Sequence, residues 1–102
     1  MKKIRFMLEY GCSPIWVYDN NSLIGVGLPE DISDDELSVL LDSIAIEYDK
    51  LFINNSVEFT YKGFSSNIDE HLFEEKLKKA ISLLKEKSKS RYIIEIDDST
   101  FN

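Results

Sequence analysis

Apolar and polar side chains alternate over residues 2–10, with Ile4, Phe6, Leu8 and Tyr10 on one side and Lys3, Arg5, Met7 and Glu9 on the other. Alternation of this kind predicts a strand with one face buried. Gly11-Cys12-Ser13-Pro14 interrupts it as a turn, and Ile15-Trp16-Val17-Tyr18 reads as a second strand, hairpin-paired with the first. Asp19-Asn20-Asn21-Ser22 turns the chain again, and Leu23-Ile24-Gly25-Val26 extends the hairpin as a short third piece. Gly27-Leu28-Pro29 ends the extended structure.

The period then changes from two to that of a helix. Ser33-Asp34-Asp35-Glu36 has the form of a capping box, with Ser33 as N-cap, Glu36 reaching back to it, and Ile32 and Leu37 as a hydrophobic staple. Leu37, Leu40, Leu41, Ile44, Tyr48, Leu51 and Phe52 recur on one face, so a helix is predicted over 33–52, ended by Asn54-Asn55. Val57, Phe59 and Tyr61 alternate with Glu58, Thr60 and Lys62, predicting a half-buried strand over 57–62. A second helix is predicted over 68–88, with Phe73, Leu77, Ala80, Ile81 and Leu84 inward. Tyr92-Ile93-Ile94-Glu95-Ile96 reads as the last strand, and 97–102 is expected to fray. The order is β-β-α-β-α-β. It predicts one α+β domain over 1–102, with both helices on one face of a mainly antiparallel sheet. Strand order does not follow from the pattern.

Composition agrees with a packed domain: 102 residues, 43% hydrophobic and 12% aromatic, enough for one core without disulfides or metal. Cys12 is the only cysteine, which rules out an internal disulfide and suggests a reducing compartment. The N-terminus lacks the apolar stretch of a signal peptide, and no apolar run approaches the roughly 18 residues of a membrane span. The expectation is a cytoplasmic protein without membrane contact.

Charge adds most to this picture. The net charge is −7, which argues against nucleic acid as a partner. From Phe6 to Asp49 there is no lysine or arginine, while Glu9, Asp19, Glu30, Asp31, Asp34, Asp35, Glu36, Asp42, Glu47 and Asp49 all fall in that stretch. The second helix balances itself, with acids early and lysines late, and Glu74–Lys78 and Glu75–Lys79 at pairing distance. The first does not: Asp42, Glu47 and Asp49 run towards its C-terminal end, where the helix dipole disfavours anions, and only Lys50 is at hand. Asp35, Asp42 and Asp49 stand seven residues apart and form a stripe with Val39 and Ile46 beside it. An apolar centre with a charged rim suits a contact surface for a basic protein. The competing reading is a solubilising surface on which scattered hydrophobes have no role. Trp16 and Tyr18 fall on the open face of the sheet if Ile15 and Val17 face the helices, and are then further candidate anchors. The inverse register would make them core.

No catalytic motif is present. Cys12 and His71 are the one nucleophile–base combination, and Cys12 lies in a turn rather than at a helix N-terminus that would activate it. Asp19, Asn21 and Glu30 have the 1, 3 and 12 spacing of a calcium loop, but Ile24 stands where the loop needs glycine. Catalytic residues, metal and cofactor are therefore all expected to be absent.

The segments 10–19 (YGCSPIWVYD), 48–53 (YDKLFI) and 59–64 (FTYKGF) resemble a group of short uncharacterised bacterial proteins across most of the chain. That group has no established activity, so the likeness assigns no site residues. In type, through length, acidity and the missing catalytic motifs, the chain is similar to immunity proteins of bacterial toxin systems. Such a resemblance implies a stoichiometric inhibitor that occludes a basic toxin domain, for instance a nuclease; the charge and apolar pattern, and not the resemblance, nominates Asp35, Val39, Asp42, Ile46, Glu47 and Asp49 for the contact, with Trp16 and Tyr18 as further anchors. The alternative is a small structural or regulatory protein that self-associates, as a homodimer, through its sheet.

Overall fold

Three strands, a helix, a two-stranded hairpin, a second helix and a last strand follow one another in the computed structural model, which describes residues 2–32, 34–54, 57–97 and 100. Strand β1 (Lys3–Phe6) pairs antiparallel with β2 (Ile15–Asp19), and β2 pairs antiparallel with β3 (Ser22–Val26). The last strand, β6 (Ile93–Ile96), returns to lie parallel to β1, so the sheet order is β3-β2-β1-β6. The chain is an α+β domain with a mainly antiparallel sheet, as the pattern predicts.

Asn20 and Asn21 make the β2–β3 turn with φ of 51° and 68°. Two central residues at positive φ match the twist of the flanking strands, and asparagine tolerates that conformation better than most side chains. In β3 the register shifts opposite Val17 and Tyr18, which face Gly25 and Leu23 and leave Ile24 as the extra residue of a bulge.

The alternation of β1 and β2 sends Ile4, Phe6, Ile15 and Val17 to one face, where all four are buried. Helices α1 (Asp35–Asp49) and α2 (Asn67–Ser88) cover that face with Leu37, Leu41 and Ile44 from the first and Phe73, Leu77, Ala80 and Leu84 from the second. Each such side chain contributes about 1.5–3 kcal/mol on burial. The helices run antiparallel, because Asp34 at the start of α1 pairs with Lys87 near the end of α2, while Glu47 near the end of α1 pairs with Lys76 further back in α2.

The boundaries depart from the pattern in four places. Asp34 is the N-cap of α1, its carboxylate accepting the Leu37 N–H at 2.8 Å, so the helix starts one residue later than the capping box implies. Ser33 itself lies outside the described residues, as do Asn55 and positions 98, 99, 101 and 102. Helix α1 stops at Asp49 instead of 52, because Phe52 leaves the helical stripe to open a strand, β4 (Phe52–Asn54).

That strand pairs with β5 (Phe59–Tyr61) in a hairpin separate from the main sheet. The predicted half-buried strand over 57–62 is therefore exposed, with Phe59 at 56% and Tyr61 at 54%. Its aromatic rings pack on one another: the Phe52 ring lies 5.1–5.3 Å from those of Tyr10, Tyr48, Phe59 and Tyr61. Last, the tail is tied where it is described. Asp97 donates its N–H to the Phe6 carbonyl at 2.9 Å and pairs with Arg5 at 2.5 Å, and Thr100 is buried.

Candidate functional site

The sequence-derived candidates separate into two groups on opposite sides of the molecule. Ile15 and Val17 face the helices, so Trp16 and Tyr18 occupy the open face of the sheet, both half-buried. Trp16 donates its indole N–H to the Met7 carbonyl at 3.3 Å, and Lys3 stands 5.9 Å above the Tyr18 ring. Asp35, Val39, Asp42 and Ile46 of the α1 stripe are exposed on the helical layer instead. Trp16 and Tyr18 thus lie on a different layer of the fold from the α1 stripe.

Within the stripe the residues have different tasks. Asp35 and Asp42 are exposed and their carboxylates have no ion-pair or hydrogen-bond partner among the described residues, and beside them Val39 and Ile46, each four residues further along the helix, are 69% and 56% exposed. Glu47 is engaged by Lys76 of α2 and by the Ser43 hydroxyl. Asp49 accepts the Gly11 N–H at 2.9 Å and so pins the turn between β1 and β2 to the end of α1. The structure thus reduces six α1 candidates to four open ones: Asp35, Val39, Asp42 and Ile46. Ser43, Lys50 and Lys76 join the last three of these in lining an open groove on the helix pair.

Cations remote in sequence hold Asp31 and Asp34. Asp31 accepts the Tyr92 hydroxyl at 2.7 Å and faces Arg91 at 3.4 Å, and Asp34 faces Lys87 at 3.2 Å. The Tyr92 hydrogen bond is the main cause holding the Asp31 carboxyl below its ordinary range, with Arg91 helping. The Leu37 N–H, then Lys87, lowers Asp34. Burial and the Asp31 bond push the Tyr92 phenol up. Helix α2 is accordingly less self-contained than its sequence suggests. The expected Glu74–Lys78 and Glu75–Lys79 pairs are replaced by Glu75–Lys78 at 3.6 Å and by the two links to α1 and its cap.

A second concave feature was not legible as a site. Between the β4–β5 hairpin and the start of α2 lies a cavity of about 200 Å³ with Tyr48, Tyr61, Phe64 and Phe73 in its walls and Glu70 and Glu74 on one side. Burial pushes the Tyr48 phenol up. The signal was present in the chain: Tyr48, Phe52, Phe59, Tyr61 and Phe64 are more aromatics than one helix face and a three-residue strand can pack.

The residues considered for chemistry stay apart. His71 is exposed and reaches Glu75 on its own helix at 3.9 Å, and no hydrogen bond joins it to Cys12. Among the described residues no three His, Cys, Asp or Glu side chains are placed to hold a metal ion, and no helix is long and apolar enough to cross a membrane. Asp19 and Asn21, read as possible calcium ligands, belong to the tight β2–β3 turn. No protein-family model matches the chain, and no curated protein matches it.

Proposed function

We propose that this protein is a binding module for a basic protein, most concretely an immunity protein that occludes a toxin domain. The supporting observation is the contrast along α1. Glu47 and Asp49 on the helix, Asp34 at its cap and Asp31 before it are each held by the protein itself, while Asp35 and Asp42 stand open with Val39 and Ile46 exposed beside them. Carboxylates without internal partners keep their full attraction for lysine and arginine. Two adjacent hydrophobes supply area that gains from being covered. In this reading the carboxylates stand in for the phosphates of the partner's substrate, and inhibition is by occlusion.

The test begins with capture of partners from the native cell and identification by mass spectrometry, followed by stopped-flow association with the purified partner. Asp35→Lys with Asp42→Lys should slow association, as should salt, since the Debye length falls from about 10 Å at 0.1 M to about 3 Å at 1 M. Val39→Ala and Ile46→Ala should speed dissociation. The matched control reverses Asp19 and Glu86, acids elsewhere on the surface. Equal slowing by the control would make net charge the cause and remove α1 as the interface.

A second reading has its own observation. Strand β3 is an edge of the sheet, carries no charged residue, and exposes Leu23, Ile24 and Val26. Such an edge can pair with a second copy. Light scattering across a concentration series distinguishes the two: a dimer dispersed by Ile24→Lys favours self-association, and a monomer at all concentrations removes it.

A further inference from the structure

We propose that the cavity between the β4–β5 hairpin and α2 receives the cationic end of a lysine or arginine side chain from a partner protein. Size argues first. A space of about 200 Å³ is below the roughly 300–1,000 Å³ of sites for drug-sized ligands, and suits one long side chain.

The walls argue next. Tyr48, Tyr61, Phe64 and Phe73 present aromatic surface, which attracts a cation through the negative face of the ring and covers its methylene stem. Phe64 and Phe73 lie 5.3 Å apart, and Tyr48 and Tyr61 both stand edge-on to Phe52, so the walls are braced before any guest arrives.

Charge then selects the guest. Glu70 and Glu74 sit one turn apart on α2, and their carboxylates have no ion-pair or hydrogen-bond partner among the described residues. Like charges at that spacing repel. A neutral guest leaves the repulsion in place and an anion adds to it, whereas an ammonium or guanidinium group relieves it. The Tyr48 phenol, pushed up by burial, stays neutral at pH 7 and can accept a hydrogen bond from the cation. The inference rests on the basic-partner reading only for where the cation comes from.

Because small probes replace the partner, this pocket can fail while the α1 reading stands, and the reverse. The intact protein is titrated with Nα-acetyl-lysine methylamide, Nα-acetyl-arginine methylamide, the uncharged norleucine analogue and n-butylamine, following aromatic carbon–proton NMR signals. The capped cations should move the signals of Tyr48, Tyr61, Phe64 and Phe73, and norleucine should not. Glu70→Gln with Glu74→Gln should weaken that binding by about tenfold or more, the loss expected for charge-assisted contacts. Both carboxylates lack partners among the described residues, so circular dichroism should be unchanged. Equal shifts from norleucine, no shifts from any probe, or binding indifferent to the double variant would overturn the proposal. Tighter binding of butylamine than of the capped amino acids would overturn the protein source of the cation.

Discussion

The Tyr92 hydroxyl donates a 2.7 Å hydrogen bond to the Asp31 carboxylate across 61 positions of sequence. It fastens the loop before α1 to the segment that leads from α2 into β6. Arg91 faces the same carboxylate, and Lys87 faces the Asp34 cap one step along. The acidic end of α1 is thereby set against the basic end of α2, which is also the arrangement both helix dipoles favour.

Tyr92→Phe keeps the buried ring and removes only the donor. Stability should fall by about 1 kcal/mol, the usual net worth of an intramolecular hydrogen bond. Chemical denaturation with an unchanged slope is the readout. A loss several times larger would show that the ring, and not the hydroxyl, had been disturbed.

The same cluster sets a pH dependence. Asp31 and Asp34 both titrate below their ordinary range in the folded protein, so the folded state binds fewer protons than the unfolded one there. Their contribution is present above about pH 4 and is lost as pH falls through the lowered folded values. Tyr92 is raised, so its contribution is present below about pH 10 and lost above it. Denaturation midpoints from pH 7 to 2.5 should decline, and Tyr92→Phe should decline less steeply.

Asp49 and Asp42 share a helix stripe but should behave differently. Asp49→Ala removes the acceptor of the Gly11 N–H and should cost about 1 kcal/mol, while Asp49→Asn, which keeps an acceptor oxygen, should cost less. Asp42→Ala should change stability by no more than about 0.5 kcal/mol, as is usual for open surface positions. Paired thermal and chemical denaturation measures both, and a large loss at Asp42 would mean that it has a structural task.

Phe52 is the hub of the aromatic cluster, in ring contact with Tyr10, Tyr48, Phe59 and Tyr61. Phe52→Ala should loosen the β4–β5 hairpin without melting the main sheet, with each lost pair costing about 0.5–1.5 kcal/mol. Amide exchange should quicken at 59–61 and stay slow in β1 and β2. Uniform acceleration would place the cluster inside the main cooperative unit.

Leu84→Ala tests the core. The side chain is fully buried at the C-terminal half of α2, and its truncation should cost about 2–5 kcal/mol. A smaller loss would mean that the helix pair collapses onto the vacated space.

The sequence by itself determined the elements whose period is long or whose face is strongly apolar. Leu37, Leu41 and Ile44, and Phe73, Leu77, Ala80 and Leu84, are buried where their spacing puts them. Ile4, Phe6, Ile15 and Val17 follow their alternation just as directly. These are local consequences of 3.6- and 2-residue periods facing one core. Tertiary structure decided what depends on meetings between distant segments. Phe52 continues a helical stripe, yet it joins β4 because rings from 10, 48, 59 and 61 gather round it. The acids of α1 look uncompensated over a long stretch without lysine or arginine, yet Lys76, Lys87, Arg91 and the Gly11 N–H hold four of the stretch's carboxylates. Charge pairing and ring packing act through space, over a few ångströms, and are indifferent to separation along the chain. A linear pattern can therefore mark which residues are charged or aromatic, and only the fold decides which of them, such as Asp35 and Asp42 on the α1 stripe, are left open.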